Sequence, residues 1–415
     1  MHTFTLIFLI TLSAGLVTQL WLLQRHRHNI RTHRSGVPAA FAGQIDLAQH
    51  QKAADYTLAK SSLGRIELVY GTLLLLIWTL GGGIDLLNQL WLRTSLDTVL
   101  TGIGLILSLS LVSGLLELPF SLYSTFVLEE RFGFNKTTAK RYLLDMLLQM
   151  MLSLLIGVPL LWAILWLMDG AGDYWWFAAW ALLIGFMLLM TWIFPTLIAP
   201  LFNKFIPLEE GELKDRIVGL LKRCGFSGNG IFIMDGSKRS GHGNAYFTGF
   251  GRNKRVVFYD TLAESLEVDE MEAVLAHELG HFKRRHIIKH LVLTAAMTLA
   301  GLALLGWMAE QPWFYSALGV NGDSNALALL LFMLVIPVFT QFLEPLMAMM
   351  SRKHEFEADD FAVEQAGAEP MIRALVKLYR ENASTLTPDP LYSAFHDSHP
   401  PASVRVANLS AKIVQ

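Results

Sequence analysis

The sequence predicts a mainly α-helical fold, a bundle of seven membrane-spanning helices carrying a small α+β domain on one side of a bilayer. Three observations predict it. Of 415 residues, 53% are hydrophobic and only 16% charged, more apolar than an ordinary soluble chain. Seven windows are long enough to cross about 30 Å of hydrocarbon. The polar remainder gathers mainly into a loop at 24–66, an insertion at 199–286 and a tail at 351–415. A formal net charge of -2 gives no basic field for nucleic acid, and no Lys/Arg stripe alternates with aromatic residues, so nucleic acid is excluded as a partner.

The first window, 3–23, lacks a basic leader and is followed by Arg25, Arg27, Arg31 and Arg34 rather than by a small-residue cleavage site. That is the pattern of a retained anchor. The histidines from His26 to His33 belong to the same positive loop. Windows at 67–88, 99–125, 145–168 and 175–198 complete a five-span region, 1–198. After the insertion come 287–308 and 326–350, a two-span region at 287–350. Glu117 and Glu344 fall inside apolar windows. A carboxylate in lipid is costly, so both are expected to face protein or an aqueous cavity.

Positive loops stay on the cytoplasmic side. Arg25, Arg27, Arg31, Arg34, Lys52, Lys60 and Arg65 lie between the first two windows, and Arg131, Lys136, Lys140 and Arg141 between the third and fourth. The alternate loops carry only Arg93. The N-terminus is therefore expected outside, with 199–286 and 351–415 both in the cytoplasm. Two spans separate these segments in sequence, yet the topology lets them build one site.

Within the insertion, the apolar runs Gly230 to Met234 and Arg255 to Tyr259 are bounded by turn residues and predict a small hairpin-like sheet. Cys224, the single cysteine, reads as a core residue. It can form neither an internal disulfide nor a cysteine-based zinc site, so any metal falls to His and carboxylate ligands. A helix is expected from Asp269, with Glu270 and Glu272 in its first turn suiting the positive end of the dipole. It leads to His277-Glu278-Leu279-Gly280-His281.

Residues four apart on a helix are offset by only about 40°, so His277 and His281 project from one face at a separation that a single zinc ion can bridge. Catalytic zinc uses three protein ligands and an open position for water. Glu278, beside a ligand but not itself one, suits the general base that activates this water for attack on a peptide carbonyl. On an uninterrupted helix His286 and His290 lie about 180° and 220° round from His277, so they are expected to point away as part of a basic collar with Lys283, Arg284, Arg285 and Lys289. No histidine continues the motif at three-histidine spacing. A carboxylate is favoured as third ligand, on a helix expected over Ser351 to Ala362. Glu355 and Asp359 share one face of it, so that one can bind zinc while the other accepts an N–H from a ligating histidine. Glu357 lies about 200° from Glu355, and helix geometry leaves a Glu357 and Asp360 pairing open.

Besides the H-E-L-G-H segment, four stretches carry a family resemblance: Glu129 to Thr138, Asn244 to Phe250, Ser351 to Ala362, and Ser398-His399-Pro400-Pro401. Over nearly its whole length the chain resembles the type I CAAX prenyl proteases, integral membrane zinc endopeptidases with a carboxylate third ligand. The resemblance implies one zinc ion per chain held by His277, His281 and Glu355, with Asp359 as an acidic partner described as a proton donor. It implies seven spans enclosing a large chamber closed by the zinc domain, which would account for carboxylates such as Glu117. It makes Asn244, Ala245, Tyr246 and Phe247 part of an edge strand on which an extended peptide pairs. His399 and Arg405 are expected to donate to the substrate carbonyl or to the oxyanion that develops there.

The expected function is zinc-dependent hydrolysis of peptide bonds, in a peptide or protein that is prenylated or membrane-associated. The compact loops suggest a bacterial member and hence the inner membrane, where turnover of misfolded membrane proteins is the alternative substrate reading. A rival of another class is a membrane scaffold or transport component with a structural zinc. Glu278 separates the two, because a structural site needs no base beside an open metal position. Oligomeric state carries no signal in the sequence.

Overall fold

The computed structural model describes residues 2–226, 230–248 and 255–413. Among the described residues, seven helices long and apolar enough to cross a membrane run over Thr3–His33, Leu47–Trp78, Thr98–Phe132, Ala139–Gly170, Gly172–Phe202, His286–Ala309 and Asn325–Ala366. Polar caps start several of them. Asp46 accepts from Gln49 in a capping box, Asp97 accepts from Val99 and Leu100, Thr138 from Arg141 and Ser324 from Leu327. Each cap satisfies amide groups that a helix end leaves without partners.

The spans close into a ring. The first packs on the second and seventh, the third on the fourth, the fourth on the fifth, the fifth on the sixth, and the sixth on the seventh. Tyr70 and Trp78 join the second to the third by hydrogen bonds to the Leu116 carbonyl and the Ser113 hydroxyl. Their shared apolar core lies at one end of the bundle. It includes Phe8, Trp78, Ile103, Leu105, Leu165, Leu305, Phe314 and Leu327. Toward the other end the spans turn few side chains into one another. The third span buries Thr101 to Ile106 and Leu109 but nothing from Ser110 to Val127, and the fourth buries only Ile164, Leu165 and Met168. Glu117 is exposed in that unburied stretch.

The window expected at 67–88 straddles a break. Its helix begins at Leu47 and ends at Trp78, Gly82 turns at φ 79°, and a separate short helix, Gly83–Leu92, follows. Charged residues along 47–66 hide that first half from a hydropathy scan, although nothing in them opposes a helix. The last span is also compound. Asn325–Thr340 passes through one tight turn, Gln341–Leu343, into Glu344–Ala366, which leaves the bundle to reach the polar domain.

That domain carries a four-stranded sheet, β1 (Phe205–Pro207), β2 (Ile231–Met234), β3 (Ala245–Thr248) and β4 (Arg255–Tyr259), in spatial order β1-β2-β4-β3. β2 and β4 are parallel, Ile231 opposite Val256 through Met234 opposite Tyr259, so the hairpin expected of these two runs does not form. The chain between them is too long for a tight turn and itself contains β3, which pairs antiparallel with β4 and takes the sheet edge. Gly249 and Phe250, from the stretch Asn244 to Phe250, lie outside the described residues.

Val268–Lys283 packs on the sheet and on Glu212–Arg223, Ala368–Glu381 and, most extensively, Glu344–Ala366. It starts one residue before the expected Asp269, capped by Glu267 and Glu270 in a reciprocal box. Glu270 is buried and paired with Lys377 at 2.7 Å. Gly280 lets the two main helices touch, since a Cβ there would sit 2.9 Å from the Ala358 Cα. The polar domain is tied back to the spans by a bidentate Arg239–Asp145 pair, at 2.7 and 2.8 Å, and by Arg25 and Asn29 reaching the tail at Asp389, Thr387 and Pro388. The Glu129 to Thr138 stretch joins in. Glu129 accepts from the Tyr56 hydroxyl at 2.6 Å, and Asn135 bridges to Ser240.

Candidate metal centre

Helical spacing sets His277 and His281 one turn apart on one face of Val268–Lys283. Close contact at Gly280 then brings the neighbouring helix near enough to present Glu355 between them. The His277 and His281 Nε2 atoms are 3.3 Å apart. The Glu355 carboxylate lies 3.5 Å from the first through Oε2 and 3.3 Å from the second through Oε1. A tetrahedral metal bound at about 2.0–2.1 Å needs donors about 3.3–3.4 Å apart. The three groups have that spacing and are the one such cluster of three or more among the described residues. Glu355 Oε2 is also buried without a hydrogen bond, a costly state unless a cation takes its lone pairs. On these grounds the donor set fits a metal.

Around the donors, the rest of His277 is held from behind. Its Nδ1 is 2.9 Å from Asp359 Oδ1. Asp359 is fully buried and receives two hydrogen bonds from Arg405, Nε to Oδ2 at 2.9 Å and Nη2 to Oδ1 at 2.6 Å. Arg405 is only 5% exposed, and its Nη1 stands 3.4 Å from Glu355 Oε2. Burial works against charge on His277, but the Asp359 and Glu355 carboxylates beside it outweigh that, and without a metal its pKa is pushed up to about 9. Burial alone would lower Arg405, yet Asp359 reverses this and holds it charged.

Glu278 opens on the other side, into a cavity of about 340 Å³ shared with Asn244, Ala245, His277, His399 and Arg405. Its apolar surroundings, which include Val274 and Leu375, push the carboxyl above its ordinary value, an effect tempered by His277 and His281. A raised carboxylate beside an open metal position can collect a proton near neutrality. Asn382 clamps the approach to β3, accepting from the Gly243 N–H at 2.9 Å and donating to its carbonyl at 3.1 Å.

The residues expected at the centre gather there, and two of them, Asp359 and Arg405, also bond each other. Asp359, expected as an acidic partner, is fully buried behind Arg405 and faces His277. Arg405, expected to meet an oxyanion, bonds Asp359 through Nε and Nη2 and also lines the cavity. His399 is 62% exposed, with Nε2 at 3.4 Å from Glu355 Oε1. Asn244 and Ala245 line the cavity, whereas Tyr246 and Phe247 continue β3 away from it. Of the carboxylates left open by helix geometry, Glu355 turns to the histidine pair. Glu357 instead meets His286, which does not point away as an uninterrupted helix would have it. Asn382 was not anticipated, and a lone asparagine in a polar tail carries no spacing signal that could have revealed it.

Comparison with known proteins agrees with this architecture. Residues 26–204 match the family described as CAAX prenyl protease N-terminal, five membrane helices, and residues 207–413 match peptidase family M48. CAAX prenyl protease 1 of Saccharomyces cerevisiae is 35% identical over 414 residues, covering 92% of this chain and 90% of the relative. A CAAX prenyl protease 1 homolog of Arabidopsis thaliana is 35% identical, with 89% of each chain covered. The Homo sapiens homolog is 30% identical, with 94% and 92% covered. These organisms are eukaryotes and lend nothing to a bacterial origin. The crystal structure of S. mikatae Ste24p superposes with a TM-score of 0.93 at 32% identity, covering 99% of both chains. The chain belongs to peptidase family M48 and is a multi-pass membrane metalloprotease of the CAAX prenyl protease type.

Proposed function

We propose that His277, His281 and Glu355 hold one zinc ion per chain and that Glu278 is the general base for hydrolysis of a peptide bond beside it. The observation that carries this reading is the convergence of three ligand groups, with closest approaches of 3.3 to 3.5 Å, on a cavity that Glu278 shares. Zinc held there would supply Lewis acidity, making a water more acidic and the scissile carbonyl more electrophilic. Glu278 takes the proton from that water and returns it to the leaving amine. Asp359, kept ionised by Arg405, holds His277 with its proton on Nδ1 and its Nε2 lone pair toward the metal. His399, exposed at the rim, donates to the carbonyl oxygen as charge develops on it. Among the described residues β3 has an unpaired edge, along which Asn244 and Ala245 lead an extended substrate toward Glu278, recognising backbone more than side chains. In this division of labour 199–286 and 351–415 build the site, while 1–198 and 287–350 form the membrane chamber beneath it.

The substrate class we propose is a prenylated C-terminal peptide, cleaved after its modified cysteine. It is supported by the relatives' names and by a mostly apolar cavity of about 720 Å³ that runs from His281 past Leu293, Met297, Met347 and Phe395, room for an isoprenoid beside the metal. The side-chain tolerance of an edge strand favours the second reading, a protease that clears misfolded membrane proteins. The Lys/Arg bias supports an N-terminus outside and a site on the cytoplasmic face. The compact loops support a bacterial host, in which the membrane is the inner one. Incubating purified protein with farnesylated and unmodified forms of one peptide separates the substrate readings. Faster cleavage of the farnesylated form is expected, and equal rates would remove prenyl recognition from the account.

A further inference from the structure

The helix bearing His277 and His281 does not run on into the sixth span. Arg284 caps it and Arg285 turns at φ 57°, in the left-handed region, so that His286 opens the next helix. The turn swings His286 back toward the metal centre and leaves it 4% exposed. Its Nδ1 lies 3.1 Å from His281 Nδ1, and its Nε2 lies 2.9 Å from Glu357 Oε2. His354 stacks on its ring with centroids 4.0 Å apart. Lys289 and Lys353 flank Glu357 at 3.8 and 3.9 Å.

The protons along this chain can be assigned by elimination. His281 Nε2 faces the other two donors, so for a metal it must present a lone pair, and its single proton then sits on Nδ1. His286 Nδ1 must accept that proton's hydrogen bond, which leaves the His286 proton on Nε2, where the Glu357 carboxylate accepts it. The opposite assignment sets a lone pair against Glu357 and a proton in the metal position. We propose that His286 and Glu357 are positioning residues that lock His281 into the tautomer and orientation a metal needs, making the first residue of the sixth span part of the metal centre. The arrangement mirrors the hold of Asp359 on His277 from the opposite side. It rests on the reading of His281 as a ligand, and partners of ligating histidines commonly contribute about 10–100-fold to metal affinity.

Zinc loss to a chelator, followed in a Glu278→Gln background, tests this without turnover. The chain with no further change must first take up zinc that depends on His281; if it does not, the ligand reading and this inference fall together. Given that uptake, His286→Ala is expected to speed zinc loss about 10–100-fold, and added imidazole is expected to slow it again. A residue that merely filled space would gain nothing from imidazole. Should His286→Ala not fold, Glu357→Leu decides at a part-exposed position, with faster zinc loss expected and the metal-free thermal transition unchanged. Zinc loss at the parent rate in these variants would overturn the relay while leaving the protease reading intact.

Discussion

His277 is contested between a proton and a metal. The Asp359 and Glu355 carboxylates beside it raise its metal-free pKa to about 9, so below that pH zinc must displace a bound proton. From this group alone, apparent zinc affinity should fall about tenfold for each pH unit below about 9 and level off above it. Zinc titration of the metal-free protein in weak buffer should release about one proton at neutral pH; an affinity indifferent to pH between 6 and 9 would contradict the assignment. Asp359 is held just as firmly. Replacing it with Ala strands Arg405 as a buried charge, a change that typically costs about 3–5 kcal/mol, read as a lowered thermal transition. How far these residues were visible beforehand follows from their spacing. His277, Glu278 and His281 stand in a fixed helical pattern, as do Glu355 and Asp359. Arg405 approaches from a separate tail helix, so no periodicity tied it to Asp359.

At the scale of elements, the centre depends on two helices touching at Gly280. A Cβ there would meet backbone and not a movable side chain, with Ala358 Cα at 2.9 Å and its carbonyl oxygen at 3.1 Å. Gly280→Ala should therefore part the helices and cost about 1–3 kcal/mol, with faster zinc loss. Gly114→Ala, where a Cβ has open space in another helix, should leave zinc loss unchanged. Equal behaviour of the two variants in a chelator assay would count against helix contact as the device that seats Glu355. The same scale explains which elements could not be foreseen. The turn at Arg285 uses neither Gly nor Pro, so nothing local announced that His286 would leave the expected helix phase. The apolar runs of β2 and β4 were readable as strands, but their pairing depends on β3, a short and evenly half-buried strand. A hydropathy window cannot see the polar half of the second span, from Leu47 onward, because that half leaves the apolar zone while staying helical.

The whole molecule joins a ring of spans, packed tightly at one end, to a polar domain at the other. Segments far apart in sequence meet there because the last span carries its helix out of the bundle to Glu355. The positive loop after the first span lies at the site end, where Phe41 and Ile45 enter the polar domain's core, and the segment ending at Asn325 lies at the opposite end. In a Cys224→Ala background, a membrane-impermeant maleimide should label Asp323→Cys from outside intact cells and reach Gln44→Cys only after lysis; the reverse pattern would invert the proposed orientation. The number of spans was readable from hydropathy, because bilayer thickness acts on composition directly. The ring's closure was not, since it depends on which faces meet. The central claim spans all three scales, and Glu278→Gln tests it most directly. Purified variant and parent are compared for zinc content and for cleavage of one peptide. The variant should keep one zinc per chain and lose about 10²–10⁴-fold in rate, whereas hydrolysis at the parent rate, or loss of the zinc, would contradict the assignment of base and ligands.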